Sequence, residues 1–196
     1  ESLYGGFSNS TNATGRIHKN RVVIRGGTIA GKVYGGVFGG AHATGDVTHN
    51  TVTITGGTVS RVNATTPGYV IGGDSRVLTS LSRMNVINLG DDEGNFTADL
   101  SNAQLWGTSY NGNVFANDNE KIAGNTLNVA AKNLEVKKVR NFEKYTFTPT
   151  DAVQNGDTML TLSAAGGFGG ISGTSDDVKV KWSNVTADTS ALTALS

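Results

Sequence analysis

Thr51-Val-Thr-Ile-Thr55 alternates polar and aliphatic side chains with a period of two. Such alternation belongs to a strand with one buried face, so Val52 and Ile54 point inward and the three threonines outward. Arg21–Arg25 carries the same pattern, with Val22 and Ile24 inward and Arg21, Val23 and Arg25 outward. Gly26-Gly27 and Gly56-Gly57 follow, and they are expected to end these strands because glycine adopts positive φ at little cost. Further strands are predicted over Leu134–Val139, Lys144–Thr148, Thr158–Ser163 and Val178–Trp182, with a turn at Asn155-Gly156-Asp157.

The pattern recurs. Residues 13–29 (ATGRIHKNRVVIRGGTI) align without a gap on residues 43–59 (ATGDVTHNTVTITGGTV), and Tyr4-Gly5-Gly6 and Tyr34-Gly35-Gly36 share the same offset of 30. With looser spacing the unit Asn-x-apolar-x-apolar appears four times, as Asn20-Val22-Ile24, Asn50-Val52-Ile54, Asn85-Ile87-Leu89 and Asn125-Leu127-Val129. Its intervals are 30, 35 and 40 residues. A second phrase alternates with it, as Val33-Tyr34-Gly35-Gly36, Val70-Ile71-Gly72-Gly73 and the shorter Leu105-Trp106-Gly107.

One such unit cannot bury its apolar face, but stacked units can, with equivalent strands about 4.8 Å apart and paired in parallel. The expected fold is therefore all-β, a parallel β-helix (β-solenoid), right-handed, with three short strands per coil. Val22, Val52 and Ile87 would form an internal ladder. Asn20, Asn50, Asn85 and Asn125 would form another at a corner, because asparagine tolerates the left-handed region and its amides bond to one another. The longer intervals place extra residues in loops such as Ala64–Tyr69 and Gly90–Asn95. Residues 1–130 would be repeat coils, and residues 131–196 the final coils and a C-terminal cap of one continuous unit. An antiparallel sandwich or barrel is the competing arrangement, but no Asn-Gly or Asp-Gly hairpin joins adjacent alternating runs in the first 90 residues.

Composition agrees with this picture. The 27 glycines and abundant Asn and Thr disfavour helix interiors, and the regular aliphatic spacing argues against disorder. There is no cysteine, so no disulfide contributes to stability. No apolar run approaches the roughly 18 residues of a membrane-spanning helix. The chain starts at Glu1 and ends at Ser196, and both ends read as cuts in a longer protein.

The phrase at 20–36, Asn-x-Val-x-Ile-x-Gly-Gly-Thr-Ile followed by Val-Tyr-Gly-Gly, resembles the glycine-rich repeats in passenger regions of Gram-negative autotransporters, the type V secreted surface proteins. The stretch from Gly124-Asn-Thr-Leu-Asn-Val through Asn141-Phe-Glu-Lys-Tyr-Thr-Phe to Asn155-Gly-Asp-Thr-Met-Leu-Thr-Leu162 is similar to a segment near the end of such passengers. The resemblance covers most of residues 1–165. It implies display at the cell surface, anchored to the outer membrane or secreted, by a Gram-negative bacterium. It also implies a structural stalk or adhesin whose partner is a protein or glycan of a host cell, matrix or other bacterium. The membrane would be reached only through a β-barrel beyond Ser196.

Catalytic chemistry is not expected, and no cofactor or metal is assigned. The alternative is a carbohydrate-active enzyme, a polysaccharide lyase or hydrolase, which would set carboxylates along one outer strand. A tail-fibre protein is a third class and would require trimers. The densest acidic run, Gly90-Asp-Asp-Glu-Gly94, lacks the alternating oxygen ligands of a calcium loop and reads as a solvated loop. Gly166-Gly-Phe-Gly-Gly170 is unrepeated and has no aspartate where a calcium nonapeptide needs one. His18 and His49 sit one position apart in adjacent repeats, which puts them on opposite sides of a strand and argues against a shared metal; His42 completes the histidines. Asn-x-Ser/Thr triplets at Asn9, Asn12, Asn63, Asn95 and Asn184 follow from composition.

Charge is the suggestive feature. Residues 1–85 hold eight Lys/Arg and three Asp/Glu, whereas residues 86–130 hold one and six. Arg16, Lys19, Arg21, Arg25 and Lys32 cluster in the first coil, with Arg21 and Arg25 on the outward face. This basic stripe suits an anionic glycan or another acidic surface; the plainer reading is a solvated outer face. Nucleic acid is not expected, because no aromatic residues interleave with these bases. Binding through the stripe predicts salt-sensitive retention on heparin that falls for the Arg21→Ala/Arg25→Ala pair. Equal retention of parent and variant would remove the stripe as a binding surface.

Overall fold

The computed structural model describes residues 1–9, 15–38, 45–75, 81–110, 123–150, 153, 157–165, 167–169 and 185–187. No helix occurs among them. Strands β1 (Ser2–Tyr4) and β2 (Phe7–Ser8) precede a coil formed by β3 (Arg16–His18), β4 (Arg21–Ala30) and β5 (Lys32–Phe38). The next two coils are β6 (Asp46–Thr48), β7 (Thr51–Ser60), β8 (Gly68–Ser75), then β9 (Ser82–Arg83), β10 (Val86–Leu89), β11 (Ala103–Tyr110). Coiling continues through β12 (Thr126–Val129), β13 (Leu134–Val136), β14 (Lys138–Arg140), β15 (Lys144–Phe147), β16 (Leu160–Leu162), β17 (Phe168–Gly169) and β18 (Val185–Ala187).

These strands stack into walls. One runs β3-β6-β9, the second β4-β7-β10-β12-β15-β18, and the third β1-β5-β8-β11-β14-β17 with β2 also on β5; β13 and β16 form a short pair. Each pairing is parallel. The protein is a parallel β-solenoid, and the three-strand coil expected from the repeat is what its first three coils contain. The predicted cap and the strand over Val178–Trp182 lie outside the described residues; β18 continues the second wall.

The core follows from the alternation. Val22 pairs with Val52, Val52 with Ile87, Ile87 with Leu127 and Leu127 with Tyr145. Ile24, Ile54, Leu89, Val129 and Phe147 form a second column in the same wall. Facing them, the third wall contributes Val33, Val70, Leu105 and Val139. All of these are buried except Phe147, which packs against the cluster half-buried.

At the corner between the first and second walls stands the asparagine column. The backbone N–H and Nδ2 of Asn20 both donate to Oδ1 of Asn50, at 3.1 and 2.8 Å. Asn50 donates in the same way to Asn85, at 3.1 and 3.0 Å, and Asn85 to Asn125, at 2.9 and 3.3 Å. A spare Nδ2 proton reaches a backbone carbonyl across the corner, Ile17 for Asn50 and Val47 for Asn85. The glycine pairs of the third wall make room for these amides. A Cβ on Gly6, Gly36 or Gly73 would lie 2.6, 2.9 or 2.7 Å from the Nδ2 of Asn20, Asn50 or Asn85.

Two expectations need correction. The left-handed residue at this corner is not the asparagine but the one before it: Lys19, His49 and Met84 have φ of 57°, 58° and 57°, and Gly124 has 71°. A positive φ there swings the chain from the first wall into the second and leaves each asparagine free to hydrogen-bond along the stack. Likewise Gly26-Gly27 and Gly56-Gly57 do not end β4 and β7, which are each 10 residues long. Gly27 and Gly57 do adopt positive φ, 83° and 89°, but the pairs shift the register and bend the strand rather than stop it.

Replacing Asn85 with Ala removes a fully buried amide, its side-chain bonds to Asn125 and Val47, and the acceptor for both donors of Asn50. The expected loss is about 3 kcal/mol, whereas Asn20→Ala, at the partly exposed end of the column, should lose about 1 kcal/mol. Urea unfolding of the two variants checks this; equal losses would contradict a cooperative column.

Candidate functional site

A groove of about 970 Å³ runs along the outer surface of the second wall. The outward residues of that wall stack as directly as the inward ones: Val23, Thr53, Asn88, Asn128 and Thr146 occupy one register column. Thr53, Asn88, Asn128 and Thr146 line the groove, and Arg21 on β4 lies at one end. Within the column, Asn128 Nδ2 donates to Asn88 Oδ1 at 2.8 Å, and Asn88 Nδ2 donates to Thr53 Oγ1 at 3.2 Å. These bonds fix the amide planes, so the polar atoms form a periodic array with one rung per strand.

The acidic run forms the side of this groove. At Gly90 (φ 91°) the chain leaves the stack over Ala130, and a Cβ there would come within 2.7 Å of the Ala130 carbonyl oxygen. It rejoins where the Thr97 N–H donates to the Thr55 carbonyl at 2.7 Å and the Asp99 N–H to the Gly57 carbonyl at 2.8 Å. Between these points Asp91 ties the loop together, accepting from the Asn95 N–H at 2.7 Å and from Asn95 Nδ2 at 3.0 Å. Those hydrogen bonds, the side-chain one first, hold the Asp91 carboxyl below the ordinary carboxylate range. Asp92 and Glu93 also line the groove, are exposed, and form no ion pair among the described residues. Thr148, Pro149 and Thr150 close the far end. Thr150 is 8% exposed, lies under Gly94, and its Oγ1 has no hydrogen-bond partner among the described residues.

Among the described residues no three His, Asp or Glu side chains come close enough to hold a metal ion. The groove holds a fixed carboxylate, two exposed ones, and a row of amides and hydroxyls, groups that can donate and accept hydrogen bonds.

The basic residues singled out from the sequence are placed differently. Arg16 is on β3 in the first wall, in register with Asp46 of the next coil, as the aligned repeats implied. Lys19 occupies the left-handed corner. Arg21 and Arg25 are exposed on β4, and Lys32 starts β5 in the third wall, its Nζ 5.3 Å from the Tyr69 ring centroid. Residues contiguous in sequence are thus spread over three walls, and only Arg21 and Arg25 share a face. His18 and His49 are both exposed and one register position apart; His42, Asn12, Asn184 and the glycines 166 and 170 lie outside the described residues.

Comparison with protein-family models, with curated proteins and with solved structures yields no match.

Sequence reasoning read Gly90–Gly94 only as a solvated loop and missed the groove beside it. The signal was available in the outward positions of the Asn-x-apolar-x-apolar unit, which hold Thr53, Asn88 and Asn128 at the intervals already found. Asn95→Ala should raise the Asp91 carboxyl toward its ordinary value of 3.8. Because the folded value is the lower one, this contact stabilises the loop above the ordinary pKa, and the benefit is lost as pH falls through the depressed value. Carboxyl-detected NMR titration checks the shift; an unchanged Asp91 curve in the variant would contradict the assigned cause.

Proposed function

We propose that this chain is a surface-displayed passenger segment, similar to those of autotransporters, that serves as a non-catalytic stalk and presents its outer walls to a ligand. The observation that carries this reading is the stack itself. One interlocked column of side chains repeats coil after coil, so the fold extends along an axis and exposes long, regular faces. The two repeat phrases at 20–36 and the stretch over 124–162 resemble passenger sequences, and the absence of cysteine suits a chain exported before it folds. Its partner is then a component of a host cell, a matrix or another bacterial surface.

One observation favours the enzymatic alternative, a carbohydrate-active solenoid: three carboxylates, those of Asp91, Asp92 and Glu93, border one groove. They come from a single loop, and Asp91 is held ionised by Asn95, which suits it poorly to donate a proton.

Display is tested on intact cells that produce the native protein. Antibodies against this chain should label them without permeabilisation, and brief external protease should remove the label. Labelling only after permeabilisation would overturn the reading. Release of reducing ends from a polysaccharide, abolished by Asp92→Asn, would replace it with the enzyme.

A further inference from the structure

We propose that the groove on the second wall binds a linear polysaccharide bearing free amino groups. This ligand assignment rests on the reading of the chain as a presenting surface and names what that surface takes.

The direction of the groove selects the class of polymer. It crosses the strands, from Arg21 on β4 to Thr146 on β15, so a bound chain lies along the solenoid axis. The inner strands β7, β10, β12 and β15 are paired on both sides within the wall, and the edge strand β4 meets the groove only at Arg21, so a chain lying across the strands has no free edge to follow. An extended peptide that binds by adding a strand has nothing to pair with here. What the groove presents is a row of side chains at the strand spacing of about 4.8 Å, the amides of Asn88 and Asn128 between the hydroxyls of Thr53 and Thr146. A polymer with hydroxyls on every unit matches a row of that kind.

The charge of the loop selects among such polymers. Asp92 and Glu93 border the row, exposed and without an ion pair among the described residues, and Asp91 beside them stays ionised. Three negative charges against Arg21 repel uronate or sulfate groups and attract ammonium. Thr150 closes the loop end of the groove: its side chain is buried beneath Gly94 and shapes that wall without itself meeting a ligand. Asn88 and Asn128 contact the sugar hydroxyls, and Asp92 and Glu93 contact the amines.

Titration calorimetry of the whole chain with a glucosamine hexamer tests the assignment. Binding is expected, weakening at least tenfold when salt is raised from 50 to 500 mM. The Asp92→Asn/Glu93→Gln pair should weaken it at least tenfold, and so should Asn88→Ala/Asn128→Ala, with unchanged circular dichroism in both. The fully N-acetylated hexamer should bind at least tenfold more weakly than the amine. Absence of binding, or equal binding by parent and the acidic pair, would overturn the proposal. Equal affinity for a hexalysine peptide would overturn it in favour of a basic protein partner. Failure here leaves labelling of intact cells untouched, and internal labelling with intact glucosamine binding would sink the display reading alone.

Discussion

The fold depends on an amide column set in a slot that only glycine leaves open. Each of Asn50, Asn85 and Asn125 receives two hydrogen bonds on one oxygen from the coil before it, in a space that a Cβ on Gly36 or Gly73 would fill. Either partner alone is harmful. A buried asparagine without the next one is an unsatisfied amide, and a glycine pair without the asparagine is a gap in the wall. Together they set the axial alignment, because displacing a coil by one residue breaks both donors at once. The column also has a direction, with donors toward Asn125 and acceptors toward Asn20, so successive coils add in one orientation only.

That arrangement leaves the rest of the coil free to vary. The intervals between asparagines grow from 30 to 35 to 40, yet the pairings of Val52 with Ile87 and Ile87 with Leu127 stay in register. The growth from 30 to 35 is absorbed at 61–67. In the next coil the further five residues fall in sequence between Tyr110 and Asn125, and the acidic loop after Gly90 takes up the same length as before. The loop remains in place for local reasons: Asp91 holds Asn95, and Gly94 seats on Thr150 at a distance that any side chain would close. Variation beyond the walls is how a repeat with a rigid interior acquires a site.

Much of this was legible in the sequence. Strict alternation in Thr51–Thr55, and its copy thirty residues earlier, located the inward columns, and the recurring asparagine located the corner. The left-handed residue was hidden because Lys19, His49 and Met84 share a backbone conformation and nothing in their side chains. The continuation of β4 and β7 past their glycine pairs was hidden because a glycine that bends a strand and one that ends it look alike in sequence. The groove was harder still. Val23, Thr53, Asn88, Asn128 and Thr146 are five positions of mixed type, and the acids that flank them occur once. Only the register places Gly90–Gly94 beside that column. The basic cluster shows the opposite effect: Arg16, Lys19, Arg21 and Lys32 are close along the chain, but corners separate them.

Core and groove are therefore two faces of one alternation. In β7 and β10 the residues that fill the interior are Val52, Ile54, Ile87 and Leu89, and those between them, Thr53 and Asn88, build the outer row. Backbone pairing fixes the spacing of the interior ladder and imposes the same spacing on the outer one without further design. A rung can then change identity at small cost to folding, because its side chain meets solvent rather than the core. Recognition by such a row is distributed. Each coil contributes one weak contact, and the strength of binding grows with the number of coils a ligand spans, provided that the ligand is itself long and regular. A rigid solenoid thus favours polymers over small molecules for a geometric reason, before any particular side chain is considered.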